Sequence, residues 1–279
     1  MAIEVIHTIA ELRARLASEN RVGLVPTMGA LHAGHGSLIH RAAAESGCTV
    51  VSIFVNPIQF NDPADYQRYP RTLATDAAFC EQHGARIIFA PSTEEMYPES
   101  PKTFVEVAGV SEHLCGTFRP GHFRGVATVV MKLFQIVQPE RAYFGEKDAQ
   151  QLAVIQRMVL DLSVPVQIVP VATVREADGL AMSSRNQHLT AEQRAVAPLL
   201  YRALQRARQS IEAGERDPGA VKERALAMLS DTAIRVEYLE VVDAATMQPV
   251  ENVAGKLRIA IAAWVGSTRL IDNVFVEVH

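Results

Sequence analysis

The chain has 279 residues, 48% of them hydrophobic, which is enough for two modest cores or one large one. Its 27 basic and 31 acidic residues give a formal charge of −4, with no Lys/Arg cluster, so a broad electrostatic footprint for nucleic acid is excluded and small anions must be held by local features. The three cysteines (Cys48, Cys80, Cys115) lack metal-type spacing, the N-terminal stretch has no leader pattern, and no apolar run reaches membrane-spanning length; the expectation is a reduced, cytoplasmic protein.

Taken in chain order, Ile9–Ala17 is predicted as an opening helix. Up to about residue 174, apolar runs alternate with helical patterns. Strands are predicted at Val22–Val25, Thr49–Val55, Arg86–Ala90, Ala142–Phe144 and Val166–Val171, with a short extra strand at Thr103–Val107. Helices are predicted at Ser37–Ser46, Thr72–His83, Val126–Val137 and Ala149–Leu162. Near-continuous apolar strands separated by helices argue an α/β domain with a doubly wound parallel sheet covered on both faces.

The pattern changes after Val174. Arg175–Gly179 is a polar connection, Thr190–Ala213 reads as one long helix with Thr190 as N-cap and Glu192 in its first turn, and a second helix covers about Ala220–Leu229. Arg235–Val242, Leu257–Ala263 and Leu270–Val278 then read as strands without intervening helices, hence an antiparallel sheet. The predicted division is residues 1–175, a doubly wound domain, and 176–279, a smaller α+β domain.

The stretch His32-Ala-Gly-His35 lies between the end of a strand and the start of a helix. That setting aims unpaired backbone N–H groups and the positive end of a helix dipole at one spot, ready for an anion. Two imidazoles there can donate to phosphate oxygens and respond to developing charge, and Gly29 and Gly34 allow close backbone approach. Half of a metal site is the competing reading, but no nearby Cys or acidic pair completes it.

Other polar stretches also fall at predicted strand ends. Asn56 and Gln59 follow the second strand, where primary amides suit a hydroxy acid. Gly145-Glu-Lys-Asp148 offers Lys147 to phosphate and Asp148 to a ribose hydroxyl, with Gln151 one helical turn on. Met182-Ser-Ser-Arg185 sits at the domain junction, where two hydroxyls and a guanidinium can close over a triphosphate. Arg119-Pro-Gly-His-Phe-Arg-Gly125 reads as a Gly/Pro-rich loop that can act as a lid, and Asp76 either favours its own helix terminus or reaches a magnesium ion held by nucleotide. Solvated turns and linkers are the bland readings of each stretch alone.

In this order, Pro26–His35, Asn56–Phe60, Phe123–Gly125, Phe144–Asp148, Gln150–Leu152 and Met182–Asn186 resemble the pantothenate synthetase family (pantoate–β-alanine ligases, AMP-forming), within the nucleotidylyl-transferase superfamily that shares the His-x-Gly-His element. The resemblance spans nearly the whole chain. It implies a Rossmann-like first domain, a second domain that covers the nucleotide, a homodimer, and ATP-dependent condensation of pantoate with β-alanine through a pantoyl adenylate, with magnesium.

The resemblance also implies site residues. ATP contacts fall on Met28, Gly29, Ala30, Leu31, His32, Ala33, Gly34 and His35, on Gly145, Glu146, Lys147 and Asp148, and on Val174, Met182, Ser183, Ser184 and Arg185. Pantoate falls on Gln59 and Gln151, with Gln59 also near β-alanine; His35, His32, Lys147 and Arg185 are the catalytic candidates. The chain departs from the family in two places. Thr75-Asp76 stands where paired acids are usual, which weakens Asp76 as a magnesium ligand, and Gly36 is an uncommon residue after the second histidine. A transferase using a phosphorylated acceptor is the nearest alternative, disfavoured by the neutral amides of Gln59 and Gln151. A class I aminoacyl-tRNA synthetase lacks its anticodon-binding module here, and a binding module without catalysis would not need the histidines with Lys147 and Arg185.

Overall fold

The computed structural model describes residues 3–230 and 232–278, which form two compact units. The first comprises residues 1–107, 119–146 and 154–172; the second comprises 108–118, 147–153 and 173–279. The change of character near residue 174 therefore marks the last crossing between units, and two earlier short segments also belong to the second.

The first unit holds a six-stranded sheet, all parallel, in the order β1-β4-β3-β2-β5-β6. Its strands are β1 (Glu4–Ile6), β2 (Val22–Thr27), β3 (Cys48–Ile53), β4 (Ile87–Phe89), β5 (Arg141–Gly145) and β6 (Gln167–Val171). The helices are α1 (Ile9–Leu16), α2 (Ala33–Glu45), α3 (Pro63–Arg68), α4 (Leu73–Gln82) and α5 (Thr93–Met96), with α6 (Cys115–Phe118) in the second unit. They are followed by α7 (His122–Val137) and by α8 (Ala149–Asp161), within which the division falls after Ala153. Val25, Val51, Ile88 and Tyr143 from the sheet pack with Leu38, Ile39 and Ala42 of α2 and Cys80 of α4. Strand order reverses between β2 and β5, and in such sheets ligands bind beyond the carboxyl ends at that reversal.

The second unit holds α9 (Ala191–Val196), α10 (Leu199–Glu212), α11 (Pro218–Leu226) and an antiparallel sheet of β7 (Ile234–Asp243), β8 (Gly255–Val265) and β9 (Thr268–Val278). Ile259, Ile261, Ala263, Leu270 and Val274 bury one sheet face with Leu200, Leu204 and Ile211 of α10.

The predicted α/β organisation and the antiparallel second sheet are both present. Several details differ. The predicted helix Thr190–Ala213 is two helices, because Pro198 lacks an N–H and its ring opposes continuation; Thr190 does cap α9, in a reciprocal box with Gln193. Residues 103–107 form no strand, and the Val105 N–H is taken by Thr128 Oγ1 at 3.0 Å. The loop predicted at 119–125 is half helix: α7 starts at His122, after Gly121 in the left-handed region (φ 77°). Likewise α2 starts at Ala33, four residues before the predicted start at Ser37, because His32 caps it.

Candidate active site

In the first unit, β2 ends in a loop of unusual backbone, Gly29 (φ 81°) followed by Ala30 (φ 52°). A Cβ at Gly29 would lie 3.0 Å from Asp76 Oδ2 and 3.2 Å from Ile53 Cγ2, so glycine serves both conformation and space. Thr27 Oγ1 accepts from Gly29 N (3.2 Å) and donates to Ser52 O (2.7 Å), tying the loop to β3. Asp76, on α4 and only 2% exposed, accepts from Ala30 N (3.1 Å), Leu31 N (2.9 Å) and Thr72 Oγ1 (3.0 Å). The carboxylate read from the sequence as a candidate magnesium ligand is thus engaged in shaping this loop. Among the described residues, no group of three or more His, Cys, Asp or Glu is placed to hold a metal.

The two histidines form the helix cap themselves. His32 Nδ1 accepts from Gly34 N (3.1 Å), and His35 Nδ1 accepts from His32 N (3.3 Å), with ring centroids 4.2 Å apart. A ring whose Nδ1 accepts carries its proton on Nε2 when neutral. Both half-buried imidazoles are therefore set as Nε2–H donors beside the first turn of α2. That turn presents backbone N–H groups and the positive end of the helix dipole, the features an anion would use. Gly36, unexplained by chemistry, has a steric reason: a Cβ there would sit 2.6 Å from His83 Nε2, and the His83 ring is held by stacking on Phe79 and by donation to Phe79 O (2.8 Å).

Gln59 ends a 3-10 turn (Pro57–Gln59) beyond β3 and is 8% exposed. Its Nε2 reaches Met28 Sδ at 3.2 Å, so the amide borders the loop after β2. Asn56 Nδ2 donates to Gln59 Oε1 (2.9 Å) and to Gly125 O (3.2 Å), and Tyr97 Oη donates to Asn56 Oδ1 (2.9 Å). Burial pushes the Tyr97 hydroxyl up to about 12, which keeps it a donor. This relay fixes the NH2 end of Gln59 as the end facing Met28. His122 Nδ1 donates to Gln59 O (2.8 Å), and a Cβ at Gly125 would lie 2.4 Å from Ile58 O, so α7 seats flush on the turn. Tyr97 and His122 were not singled out from sequence; their partners lie 41 and 63 positions away.

In the second unit, Lys147 and Asp148 complete a 3-10 turn (Glu146–Asp148) that follows Gly145 at the end of β5, and Lys147 Nζ is 3.8 Å from Asp148 Oδ2. Gln151 is half-buried on the first turn of α8. Its neighbour Gln150 is buried and holds residues 110–115, accepting from Cys115 N (3.0 Å) and donating to Val110 O (3.0 Å) and His113 O (2.7 Å). Val174 O accepts from Met182 N (3.0 Å), and Arg175 pairs with Ala181, so the stretch read as a polar connection is a short hairpin turning at Gly179. Ser183 Oγ accepts from Arg185 N (3.2 Å) at the start of a 3-10 turn (Ser184–His188), and Asn186 anchors it on Glu176 and Ala181. Met28–His35, Gln59 and Asp76 therefore share one unit, while Lys147, Asp148, Gln151, Val174 and Met182–Arg185 share the other.

A family model for pantoate–β-alanine ligase matches residues 4–275. The pantothenate synthetase of Moorella thermoacetica is 50% identical, covering 99% of this chain and all of its own; that of Pseudomonas putida is 51% identical, covering 98% and 97%. The crystal structure of pantothenate synthetase from Thermus thermophilus superposes with a TM-score of 0.92 at 47% identity, covering 98% of this chain and 99% of that one. A pantoate–β-alanine ligase from Francisella tularensis, crystallised with β,γ-ATP and β-alanine, gives 0.82 at 35% identity over 98% and 97%. With its motifs in order and matches of this extent, the chain belongs to the pantoate–β-alanine ligase family.

Proposed function

We propose that this chain condenses pantoate with β-alanine in two ATP-driven steps. In the first, a pantoate carboxylate oxygen attacks the α-phosphorus of ATP; the new O–P bond forms as the bond to pyrophosphate breaks. In the second, the amine of β-alanine attacks the acyl carbon of pantoyl adenylate, AMP departs, and the nitrogen sheds its proton. The observation that carries this reading is within the first unit: two imidazoles capping a helix N-terminus, next to a turn whose Gln59 amide borders the same loop.

The first step joins two anions and spreads charge over phosphate oxygens. Donors fixed before the reaction stabilise that charge without reorganising, which is the role of the His32 and His35 Nε2–H groups and the α2 backbone. His35 is the proton donor of this reading and His32 its phosphate-binding companion. Lys147 and Arg185 supply positive charge to the phosphates, and Met182–Arg185 with residues 176–279 act as the nucleotide's cover. Gln59 and Gln151 hold pantoate, and Gln59 also adjoins β-alanine. Magnesium fits as an ion carried on the ATP phosphates, since Asp76 is already engaged by three donors. Bound there, it neutralises phosphate charge. A homodimer in the cytoplasm completes the proposal, on the family resemblance; among the described residues no helix is long and apolar enough to cross a membrane.

The test is exchange of labelled pyrophosphate into ATP with pantoate and no β-alanine. The wild type should exchange, and His35→Ala should slow exchange by on the order of 10²–10³-fold with little loss of ATP affinity. Absence of wild-type exchange would reject the adenylate; normal exchange in the folded variant would reject His35.

A further inference from the structure

In the second unit, the carbonyl of Lys147 accepts a hydrogen bond from Asn273 Nδ2 at 3.0 Å. Asn273 lies within β9 and is 5% exposed. Its amide cannot turn over, because Arg258 Nη1 donates to Oδ1 at 2.6 Å and so leaves the NH2 end toward Lys147. In the β8–β9 register Ala260 stands opposite Asn273 and Phe275 opposite Arg258, which makes Arg258 and Asn273 diagonal neighbours on one sheet face.

The preceding residue, Asp272, points to the other face. There it takes a two-pronged ion pair from Arg175, Nη1 to Oδ2 at 2.6 Å and Nη2 to Oδ1 at 2.9 Å. Arg175 also donates to Gly179 O (3.1 Å) and Asn273 O (3.2 Å), and its guanidinium lies 3.7 Å from the Tyr201 ring centroid. Arg175 is the foot of the hairpin whose far arm runs into Met182–Arg185.

We propose that Asp272-Asn273 is the positioning element for both ATP-directed segments of this unit: Asn273 sets the Lys147 turn, and Asp272 sets the hairpin that presents Met182–Arg185. The proposal rests on the reading of Lys147 and Arg185 given above and adds the residues that place them. Neither Asp272 nor Asn273 has to touch nucleotide. One short stretch of a buried strand, fixed by an arginine on each face, sets two segments that are far apart in sequence.

Asn273→Asp separates this role from a merely structural one. The aspartate keeps the size of the side chain and strengthens its contact to Arg258, but it offers Lys147 O an oxygen in place of an N–H. In pyrophosphate exchange, N273D should raise the KM for ATP roughly tenfold, with the KM for pantoate unchanged and the melting temperature held. Lys147→Ala is run beside it. If K147A leaves the KM for ATP intact, the reading of Lys147 fails. If K147A is impaired and N273D behaves as wild type, the positioning role alone is overturned. A parallel loss of both KM values and of thermal stability in N273D would also overturn it, because that pattern marks a general packing role.

Discussion

Replacing Asp76 by asparagine separates two uses of a carboxylate that sequence alone leaves open. The carboxylate accepts from two backbone N–H groups and one hydroxyl at 2.9–3.1 Å, in a site that is 2% exposed. Asparagine keeps one accepting oxygen. If that oxygen serves Leu31 N, the new NH2 faces Ala30 N and Thr72 Oγ1. The threonine hydroxyl can rotate to accept, but the part-buried Ala30 N–H cannot and loses its acceptor. Losing that charge-assisted bond costs about 1.5–3 kcal/mol. Expressed in stability, this is roughly 3–10 °C in melting temperature. To the extent that the loop shift also displaces the histidine cap, kcat/KM for pyrophosphate exchange should fall between about ten- and a hundredfold. The assay is exchange measured across a magnesium titration, beside thermal denaturation. Loop shaping predicts a loss that added magnesium does not restore and an unchanged magnesium midpoint. Full recovery at high magnesium with an unshifted melting temperature would refute the reasoning and return Asp76 to the metal.

Two further outcomes follow from the same geometry. Gln59→Ala should raise the KM for pantoate by the equivalent of about 1.5–3 kcal/mol and change the KM for ATP far less; equal losses in a steady-state titration would count against its placement. Gly36→Ala should destabilise the protein and slow exchange, because the methyl meets His83 Nε2 at 2.6 Å, while His83→Ala in the same chain should recover most of both losses; additive effects in the double-mutant cycle would exclude the contact.

The strand–turn–helix around His32 was legible because β2 is a continuous apolar run and α2 carries Leu38, Ile39 and Ala42 at helical spacing. The antiparallel second sheet was equally plain, its strands being long and its turns polar. β1 escaped notice because three residues, two of them exposed, leave no periodic signal. Residues 103–107 are rich in the strand formers Thr, Phe and Val, yet strand formation needs a neighbour, and none pairs with them. The break at Pro198 could have been read from its missing donor, but good helix formers on both sides masked it. What sequence did not reveal at the site is the framework: Asp76 reaches back 45 and 46 positions to the loop, and Asn273 reaches back 126 to Lys147. Such contacts exist only once the chain has folded.

Under the assignment proposed above, the first unit divides the labour of the site unequally between backbone and side chains. Its anion half is made of loop dihedrals, a helix end and a buried carboxylate, so altering it means altering the path of the chain. Its acceptor half rests on the side chains of one short turn, Asn56 and Gln59, steered by Tyr97. Redesign toward other carboxylic acids should therefore begin at Gln59, Asn56 and Tyr97 and leave residues 27–36 untouched. On that assignment, a lineage built on this scaffold would exchange the acid it activates by a few point changes, while the means of activating it stays fixed in the architecture.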